Sequence, residues 1–395
     1  MRNLAFLSLL ALGVLLPGCV LLEDELTGAR RRTDCSREGA RPQRPRGGGA
    51  LPGLDAAADT TLWICAVRFP EGYDWQRDTA YGSIPFELVL YKDFAPVLTL
   101  PSGPEACFTP DPARHHLLEG HLYTERFQDG QTRIGRDGVE LCRFDGREML
   151  AGLLEDSGDL YTLSRPGPGP GFSFRKNGEV LLQNDRGVLF GDLADPSYGP
   201  GGALYRDGGS IVFCYRDAAT GAGRLVADGQ ELPVPHSAGA LDLKRRDGRM
   251  LPLPATVAGL QLEEGRLWPE EGGFAVTGRF RDAARGSYTG YLPVGAQSAR
   301  VLCAEEAVTY SAPGAGYAVA ARADGTVRRY GPGMPADVVS AHFPAPTCAV
   351  TLGGRLVLAL TPRDVGTHPQ VHIGEQVREI PLNGYISCVG VSLPN

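Results

Sequence analysis

The segment FSFRKNGEVLLQ, residues 172–183, has the pattern of a β-hairpin. Alternating residues lead into Asn177-Gly178, and an apolar run leads out. Asn-Gly suits a type I′ turn, because both central positions of that turn need a positive φ. The type I′ turn also matches the twist of paired strands, so the segment predicts two antiparallel strands joined by a tight turn.

This hairpin recurs along the chain. A strand-like run such as DLYTLSR precedes each copy, and a further run such as MLAGLLED lies before most of these. The turns fall near Asp93, Asp137, Asn177, Asp228, Gly295, Gly333 and Gly374. Most intervals are about 40 to 50 residues, so the repeating unit is three or four strands, the size of one β-propeller blade.

These repeats predict an all-β fold from residue 60 onward, a β-propeller of seven blades with four antiparallel strands each. The first unit begins at LWICAVRF and lacks an innermost strand, whereas GYISCVGVS, residues 384–392, has no hairpin after it. We therefore predict that the C-terminal strand joins the first blade and closes the ring. Six or eight blades are the alternatives. Residues 236–257 contain either an inserted hairpin, which we favour, or an eighth, incomplete blade.

The composition agrees with this fold and excludes one class of partner. The 395 residues include 53 Gly and 31 Pro, a density of turn residues that favours many short strands. The formal net charge of −7 argues against a general nucleic-acid binder, which needs a basic field. We expect a monomer.

The N-terminus has the layout of a secretory signal peptide. A positive start at Met1-Arg2 precedes the apolar run LAFLSLLALGVLL, which is too short for a transmembrane helix and ends at Pro17-Gly18-Cys19. We predict a signal peptide over residues 1–18. Residues 19–59 are rich in charges, Pro and Gly and cannot bury enough surface to fold, so we predict a disordered tether there. The propeller domain then spans residues 60–395.

The segment LLPGC resembles a bacterial lipobox, which implies that Cys19 is lipidated and holds the chain on a membrane. The alternative is an ordinary cleaved signal with an incidental cysteine. The acidic run Glu23-Asp24-Glu25 resembles the export signal of Bacteroidota surface lipoproteins, or is a solvated charge run without a sorting role. The resemblance implies an exported outer-membrane lipoprotein, either periplasmic or surface-exposed.

The third repeat resembles a known family. Its segment DLYTLSR, followed by FSFRKNGEVLL, is similar to the repeat of Bacteroidota propeller lipoproteins, in which a "vYvaG" strand precedes a "YWKNGk" hairpin. The similarity is close only over residues 147–183, and the other units are degenerate. It implies a surface or periplasmic propeller.

Motifs for catalysis, cofactors and metals are absent from the sequence. It has no G-x-S-x-G elbow, no P-loop and no Rossmann glycine pattern, and its cysteines lack zinc spacing. His115, His116 and His121 form the one histidine cluster, but adjacent residues of a strand point to opposite faces. We therefore assign no catalytic, cofactor-binding or metal-binding residue.

Aromatic residues in loops are the candidate ligand contacts. Tyr73, Trp75 and Tyr81 lie in one polar loop of the first unit, and Trp268 lies near a later turn. Such side chains stack on sugars or anchor a protein partner, or else are simply half-buried. Two functions follow: a binding or scaffold module for a glycan, peptide or protein, which we favour, and a carbohydrate-active hydrolase or lyase with its site in the funnel.

Two further side-chain interpretations concern the strands. Cys65 lies in the second strand of the first blade and Cys388 in its proposed inner strand, so a disulfide between them would latch the ring. The alternative is that all cysteines are small buried residues. We interpret Arg175 and Lys176 as a strand end at the solvent edge.

Overall fold

The computed structural model describes residues 60–75, 77, 84–167, 169–191, 193, 201–270, 273–283, 286–304, 308–312, 317–321, 327–331, 334–340, 348–352, 355–361, 367–374 and 376–392. These residues form strands and turns, with a 3₁₀ turn at Pro112–Arg114. In this part of the chain no helix has the length and apolarity needed to cross a membrane. The predicted signal peptide and tether lie outside it.

The first half of the chain forms four antiparallel sheets of consecutive strands. The first contains β1 (Thr61–Arg68), β2 (Glu87–Lys92) and β3 (Ala95–Pro101). The second contains β4 (His115–Leu118), β5 (His121–Gln128), β6 (Gln131–Arg136) and β7 (Val139–Asp145). The third contains β8 (Met149–Asp156), β9 (Asp159–Arg165), β10 (Phe172–Lys176) and β11 (Glu179–Asn184). The fourth contains β12 (Gly187–Leu189), β13 (Tyr205–Asp207), β14 (Ser210–Asp217), β15 (Gly223–Ala227) and β16 (Gln230–Pro233).

The second half continues in the same way after a separate hairpin, β17 (Asp242–Arg246) and β18 (Arg249–Leu253). The next sheet contains β19 (Thr256–Val257), β20 (Leu260–Glu270), β21 (Gly273–Asp282), β22 (Gly286–Leu292) and β23 (Arg300–Ala304). It is followed by β24 (Val308–Ala312), β25 (Tyr317–Ala321), β26 (Val327–Gly331) and β27 (Met334–Ser340). The last sheet contains β28 (Cys348–Leu352), β29 (Arg355–Leu360), β30 (Gln370–Ile373) and β31 (Gln376–Glu379), and β32 (Gly384–Ser392) is the C-terminal strand.

The C-terminal strand completes the first sheet. β32 pairs antiparallel with β1, so that the sheet has the order β3-β2-β1-β32. The register places Thr61 opposite Ser392 and Arg68 opposite Gly384. β32 also contacts β4 and β28, the first strands of the second and last sheets. The prediction that this strand closes the ring as the inner strand of the first blade is confirmed.

The fold is therefore the predicted all-β propeller. The seven predicted hairpins are all pairs of adjacent strands: β2–β3, β6–β7, β10–β11, β15–β16, β22–β23, β26–β27 and β30–β31. The predicted hairpin between residues 236 and 257 is also present, as β17–β18. This hairpin contacts β14 and β20, in the sheets before and after it. Since it is either an insertion or an incomplete blade, the number of blades stays a prediction.

The turn of each outer hairpin in the first four sheets is fastened to the preceding strand. In the third sheet, the Asn177 backbone N–H donates to Leu160 O at 2.8 Å, and Leu160 N–H donates to Asn177 Oδ1 at 2.8 Å. The same two bonds join Asp93 to Leu62, Asp137 to Leu122 and Asp228 to Ile211. The Asp or Asn of the repeat thus does more than tolerate a positive φ, because its side chain also satisfies a backbone donor of the neighbouring strand.

Asp228 provides a test of this turn bond. Asp228→Ala is expected to lower the free energy of unfolding by about 1–2 kcal/mol, because the N–H of the buried Ile211 loses its acceptor and Ala fits the positive φ poorly. Asp228→Asn keeps the acceptor, as Asn177 does, and is expected to stay within about 0.5 kcal/mol of the parent. Urea unfolding measures both. Equal effects of the two substitutions would contradict the role given to the side chain.

The turn between β2 and β3 departs from the Asp-Gly pattern. Asp93 and Phe94 both have positive φ, at 48° and 68°, although Phe is unfavourable there. Phe94 packs against the hydrophobic cluster shared by the first and last sheets. The Arg378 guanidinium of β31 lies over its ring, 5.1 Å from the centroid. This packing across the closing seam offsets the backbone strain.

The interpretation of Arg175 as a solvent-edge residue is wrong. Its side chain is 6% exposed, and its two terminal nitrogens each donate to a Glu148 carboxylate oxygen at 2.8 Å. It also donates to Ser164 Oγ at 2.7 Å and lies 4.0 Å from the centroid of the Phe144 ring. The Lys176 side chain is 39% exposed, and its Nζ lies 2.7 Å from Asp159 Oδ2. The connector between the second and third sheets, which carries Glu148, covers the face of Arg175.

Candidate binding surface

An aromatic cluster lies where the first sheet meets its longest loop. Phe69 directly follows β1. The Trp75 ring stacks on the Phe69 ring, with 6.1 Å between the ring centroids and an interplanar angle of 14°. Tyr73 lies 5.5 Å from Phe69, and Tyr385 of β32 lies 5.0 Å from Trp75. Phe86 and Phe108 extend the cluster inward. We call Phe69, Tyr73, Trp75, Phe86, Phe108 and Tyr385 the aromatic cluster.

Hydrogen bonds from Asn383, the residue before β32, hold the loop in place. The Asn383 side-chain amide donates to Pro70 O at 2.6 Å and to Tyr73 O at 3.0 Å. The Phe69 backbone N–H donates to Asn383 O at 2.8 Å. The Tyr385 hydroxyl donates to Pro110 O, in the connector between β3 and β4. The cluster is therefore fixed by three segments that are far apart in sequence.

A carboxylate lies between the two outer rings of the cluster. Tyr73 and Trp75 are half-buried, whereas Phe69, Phe86, Phe108 and Tyr385 are buried. Asp74, between the two half-buried rings, has one carboxylate oxygen 3.4 Å from Arg77 Nε. Its other oxygen, Oδ1, is buried without a hydrogen-bond partner in the described part of the chain. Two half-buried rings and a partly exposed carboxylate thus occur together on one segment.

The predicted contact residues separate in the structure. Tyr73 and Trp75 belong to the aromatic cluster, as expected of a shared patch. Tyr81 lies outside the described residues. Trp268 is in β20, in another sheet, where it packs against the cluster of Ala275, Tyr291 and Leu302. The structure therefore does not bring Trp268 to the patch.

Four members of the cluster and Asn383 were missed from the sequence. Phe69 and Phe86 flank the predicted loop, Phe108 lies in a connector, and Tyr385 is the second residue of the C-terminal strand. Alone, each resembles an ordinary core residue. The predicted pairing of the C-terminal strand with β1 was the signal that could have found Asn383 and Tyr385, because it places them beside the end of β1.

The histidines that the structure describes do not converge on one point. His115 and His116 are both buried in β4, and burial lowers the pKa of His115 to about 4 and that of His116 to about 3. His115 Nε2 lies 2.7 Å from Thr109 O. His121, His368 and His372 each contact a different group. Within the residues that the structure describes, no three His, Cys, Asp or Glu side chains are placed to hold a metal ion.

Two buried carboxylates link neighbouring sheets. Glu125 of β5 accepts from Arg114 at 2.7 Å and from the Leu150 backbone N–H of the next sheet at 2.9 Å. Asp242 of β17 accepts from the Leu267 backbone N–H of β20 at 2.8 Å. Burial raises the pKa of both carboxyls. Their observed contacts are structural.

The hairpin β17–β18 is fastened into the fold. Asp207 accepts from the backbone N–H of Asp247 at 2.6 Å and lies 3.0 Å from Arg245 Nε. The Arg245 backbone N–H donates to the Tyr205 hydroxyl at 2.8 Å. Leu243 and Leu253 are buried on the two sides of the hairpin. This segment is therefore a packed part of the fold.

Of the three cysteines that were assigned a role from the sequence, the structure describes Cys65 and Cys388. Cys65 and Cys388 face each other across β1 and β32, and both are free thiols in this structure. Cys19 lies outside the described residues.

Comparison with known proteins gives only distant structural neighbours. No family model matches the sequence, and no curated protein matches it. A protein given the name 6-phosphogluconolactonase, from Bacteroides fragilis NCTC 9343, is similar with a TM-score of 0.41 and 10% identity, over 85% of this chain and 99% of that chain. The dihydro-heme d1 dehydrogenase NirN has a TM-score of 0.38 and 10% identity, over 89% and 77%. A quinonprotein alcohol dehydrogenase-like protein from Bacteroides thetaiotaomicron VPI-5482 has a TM-score of 0.29 and 9% identity, over 85% and 91%. The fold assignment above rests on the sheet topology.

Proposed function

We propose that this chain is a binding module, an exported lipoprotein whose propeller captures a glycan through the aromatic cluster. The observation that carries this proposal is the arrangement of Tyr73, Asp74 and Trp75. Two half-buried rings flank the Asp74 carboxylate, whose side chain is 32% exposed, on a segment that hydrogen bonds from Asn383 hold in place. A rigid site loses little conformational entropy on binding.

The chemistry of this site suits a sugar. A pyranose ring presents an apolar face that packs on an aromatic ring and hydroxyls that donate hydrogen bonds to a carboxylate. The consecutive residues Tyr73, Asp74 and Trp75 thus supply both the aromatic rings and the carboxylate. The cluster also lies at the end of the fold that carries two long connections, the β1–β2 loop and the β3–β4 connector, where ligand contacts commonly occur.

Trp75 provides the test of this site. Trp75→Ala is expected to weaken glycan binding at least about tenfold, because a stacking ring of this size contributes about 1.4 kcal/mol or more. Binding is measured on a glycan array and then by titration with the best glycan, using the full chain with Cys19→Ala to avoid the lipid. Trp268→Phe, in a different sheet, is the matched control and should bind like the parent.

The same experiment separates the alternatives. Unchanged affinity of Trp75→Ala, with normal thermal unfolding, would show that the aromatic cluster is not the site. Turnover of any glycan on the array would favour the carbohydrate-active hydrolase or lyase. Capture of a peptide or protein in place of a glycan would change the ligand class.

The proposal also covers the cellular location and the number of blades. We place the chain at the outer membrane, held by a lipid on Cys19, as a monomer, and expect the Cys19→Ala chain to appear in the soluble fraction. We further propose seven blades, with β17–β18 as an insertion. Support for this count comes from the seven sheets of four or five strands among the described residues.

A further inference from the structure

Two thiols meet where the ring closes. Cys65 lies in β1 and Cys388 in β32, and the antiparallel register places them directly opposite each other. Opposed residues of an antiparallel pair have Cα atoms about 4.5–5.5 Å apart, within the range of about 4.4–6.8 Å that a disulfide requires. The register shifts by a β-bulge between Cys65 and Ala66, and the two thiols are close enough to hydrogen-bond to each other. The pair therefore lies within reach of a disulfide.

The two side chains also share one face of the sheet. Both belong to the hydrophobic cluster between the first and second sheets, together with Val67 and Tyr385. Cys348 of β28, a third thiol at the seam, packs instead against the cluster between the first and last sheets. Its Sγ donates to Ser387 O at 3.1 Å, and it lies near enough to Cys65 and Cys388 to interact with them electrostatically. Cys348 nevertheless packs against the opposite face of the sheet from the opposed pair.

We propose that Cys65 and Cys388 form a disulfide that closes the propeller covalently. The bond joins the inner strand to the strand that begins the domain, so the chain between residues 65 and 388 becomes a closed loop. This inference stands apart from the glycan site, because neither sulfur belongs to the exposed part of the aromatic cluster.

The oxidation requires an external acceptor of two electrons. Each thiol loses a proton, one S–S bond forms, and a disulfide of a small molecule or an oxidoreductase is reduced to two thiols. An exported protein meets such disulfides outside the cytoplasm. The hydrogen bond to Cys65 and burial raise the pKa of the Cys388 thiol, so its thiolate is scarce once β32 has docked. We therefore expect the bond to form as the strand docks and to resist reduction afterwards.

Peptide mapping tests the pairing directly. The full chain is unfolded, reduced, refolded with oxidised glutathione, alkylated and digested with trypsin without reduction. Each seam cysteine falls in its own tryptic peptide: residues 47–68 for Cys65, 330–355 for Cys348 and 379–395 for Cys388. We expect the peptides 47–68 and 379–395 to be recovered linked. Recovery of both as alkylated thiols, or linkage of 379–395 to 330–355, would overturn the proposal.

Thermal unfolding gives an independent readout. Complete reduction under unfolding conditions, followed by refolding without oxidant, is expected to lower the Tm by about 5 °C or more relative to the oxidised protein. Cys348→Ala should retain this redox-dependent shift, whereas Cys65→Ala and Cys388→Ala should lose it. An equal shift in Cys65→Ala would assign it to another cysteine pair. Peptide mapping of the parent chain still tests the pairing if one of the variants fails to fold.

Discussion

Deleting residues 384–395 is expected to abolish cooperative thermal unfolding. Tyr385 and Ile386 are buried, and Val389 and Val391 pack against the cluster shared with the last sheet. Full burial of a large apolar side chain contributes about 1.5–3 kcal/mol, so losing the strand removes a large part of the about 5–15 kcal/mol that stabilises a typical domain. β1 would also gain an unpaired edge, which invites aggregation.

A shorter deletion serves as the control. Removing only residues 393–395 leaves β32 complete and is expected to change the Tm by less than about 2 °C. Differential scanning calorimetry and far-UV circular dichroism measure both variants. The closure model would be contradicted if the chain lacking 384–395 melted at the full-length temperature.

Breaking the ion pair of Arg175 and Glu148 is expected to have the second largest effect. Glu148→Ala leaves the guanidinium, 6% exposed, without its counter-charge, and such losses cost about 3–5 kcal/mol. Contact with the Phe144 ring and Ser164 does not replace the two carboxylate hydrogen bonds. Urea unfolding of the single variant measures the cost.

Two further variants test whether the effect comes from an unpaired buried charge. The double variant Glu148→Leu with Arg175→Met removes both charges and is expected to recover most of the stability, because a buried pair is often replaceable by apolar side chains. Glu87→Ala breaks the exposed pair with Arg68 and should cost at most about 1 kcal/mol. If the single variant Glu148→Ala cost no more than Glu87→Ala, the pair would not be acting as a buried one.

The sequence period was enough to predict the strands and their closure. Asp-Gly and Asn-Gly turns mark hairpins through local backbone geometry, and the unpaired C-terminal strand follows from counting. Tyr73 and Trp75 were likewise found because large rings in a polar loop stand out. These features depend on residues close together in the chain.

Contacts between segments that are far apart in the chain could not be predicted from the repeat pattern. Arg175 seemed solvent-exposed, because nothing near it in sequence shows that the preceding connector supplies Glu148. The inner rings of the aromatic cluster come from several segments, and only the three-dimensional register brings Tyr385 beside Trp75. The number of blades also depends on how β17–β18 is counted, which its strand pattern does not reveal.

The pairing of β1 with β32 has a consequence for how the chain reaches its native state. The ribosome makes β1 early and β32 last, so the edge of β1 waits for nearly the whole domain to be made. Contacts this far apart in sequence form slowly, and the exposed strand is prone to mispairing meanwhile. We therefore expect the ring to close only after residues 384–392 are available, so that β1 keeps an open edge until that step.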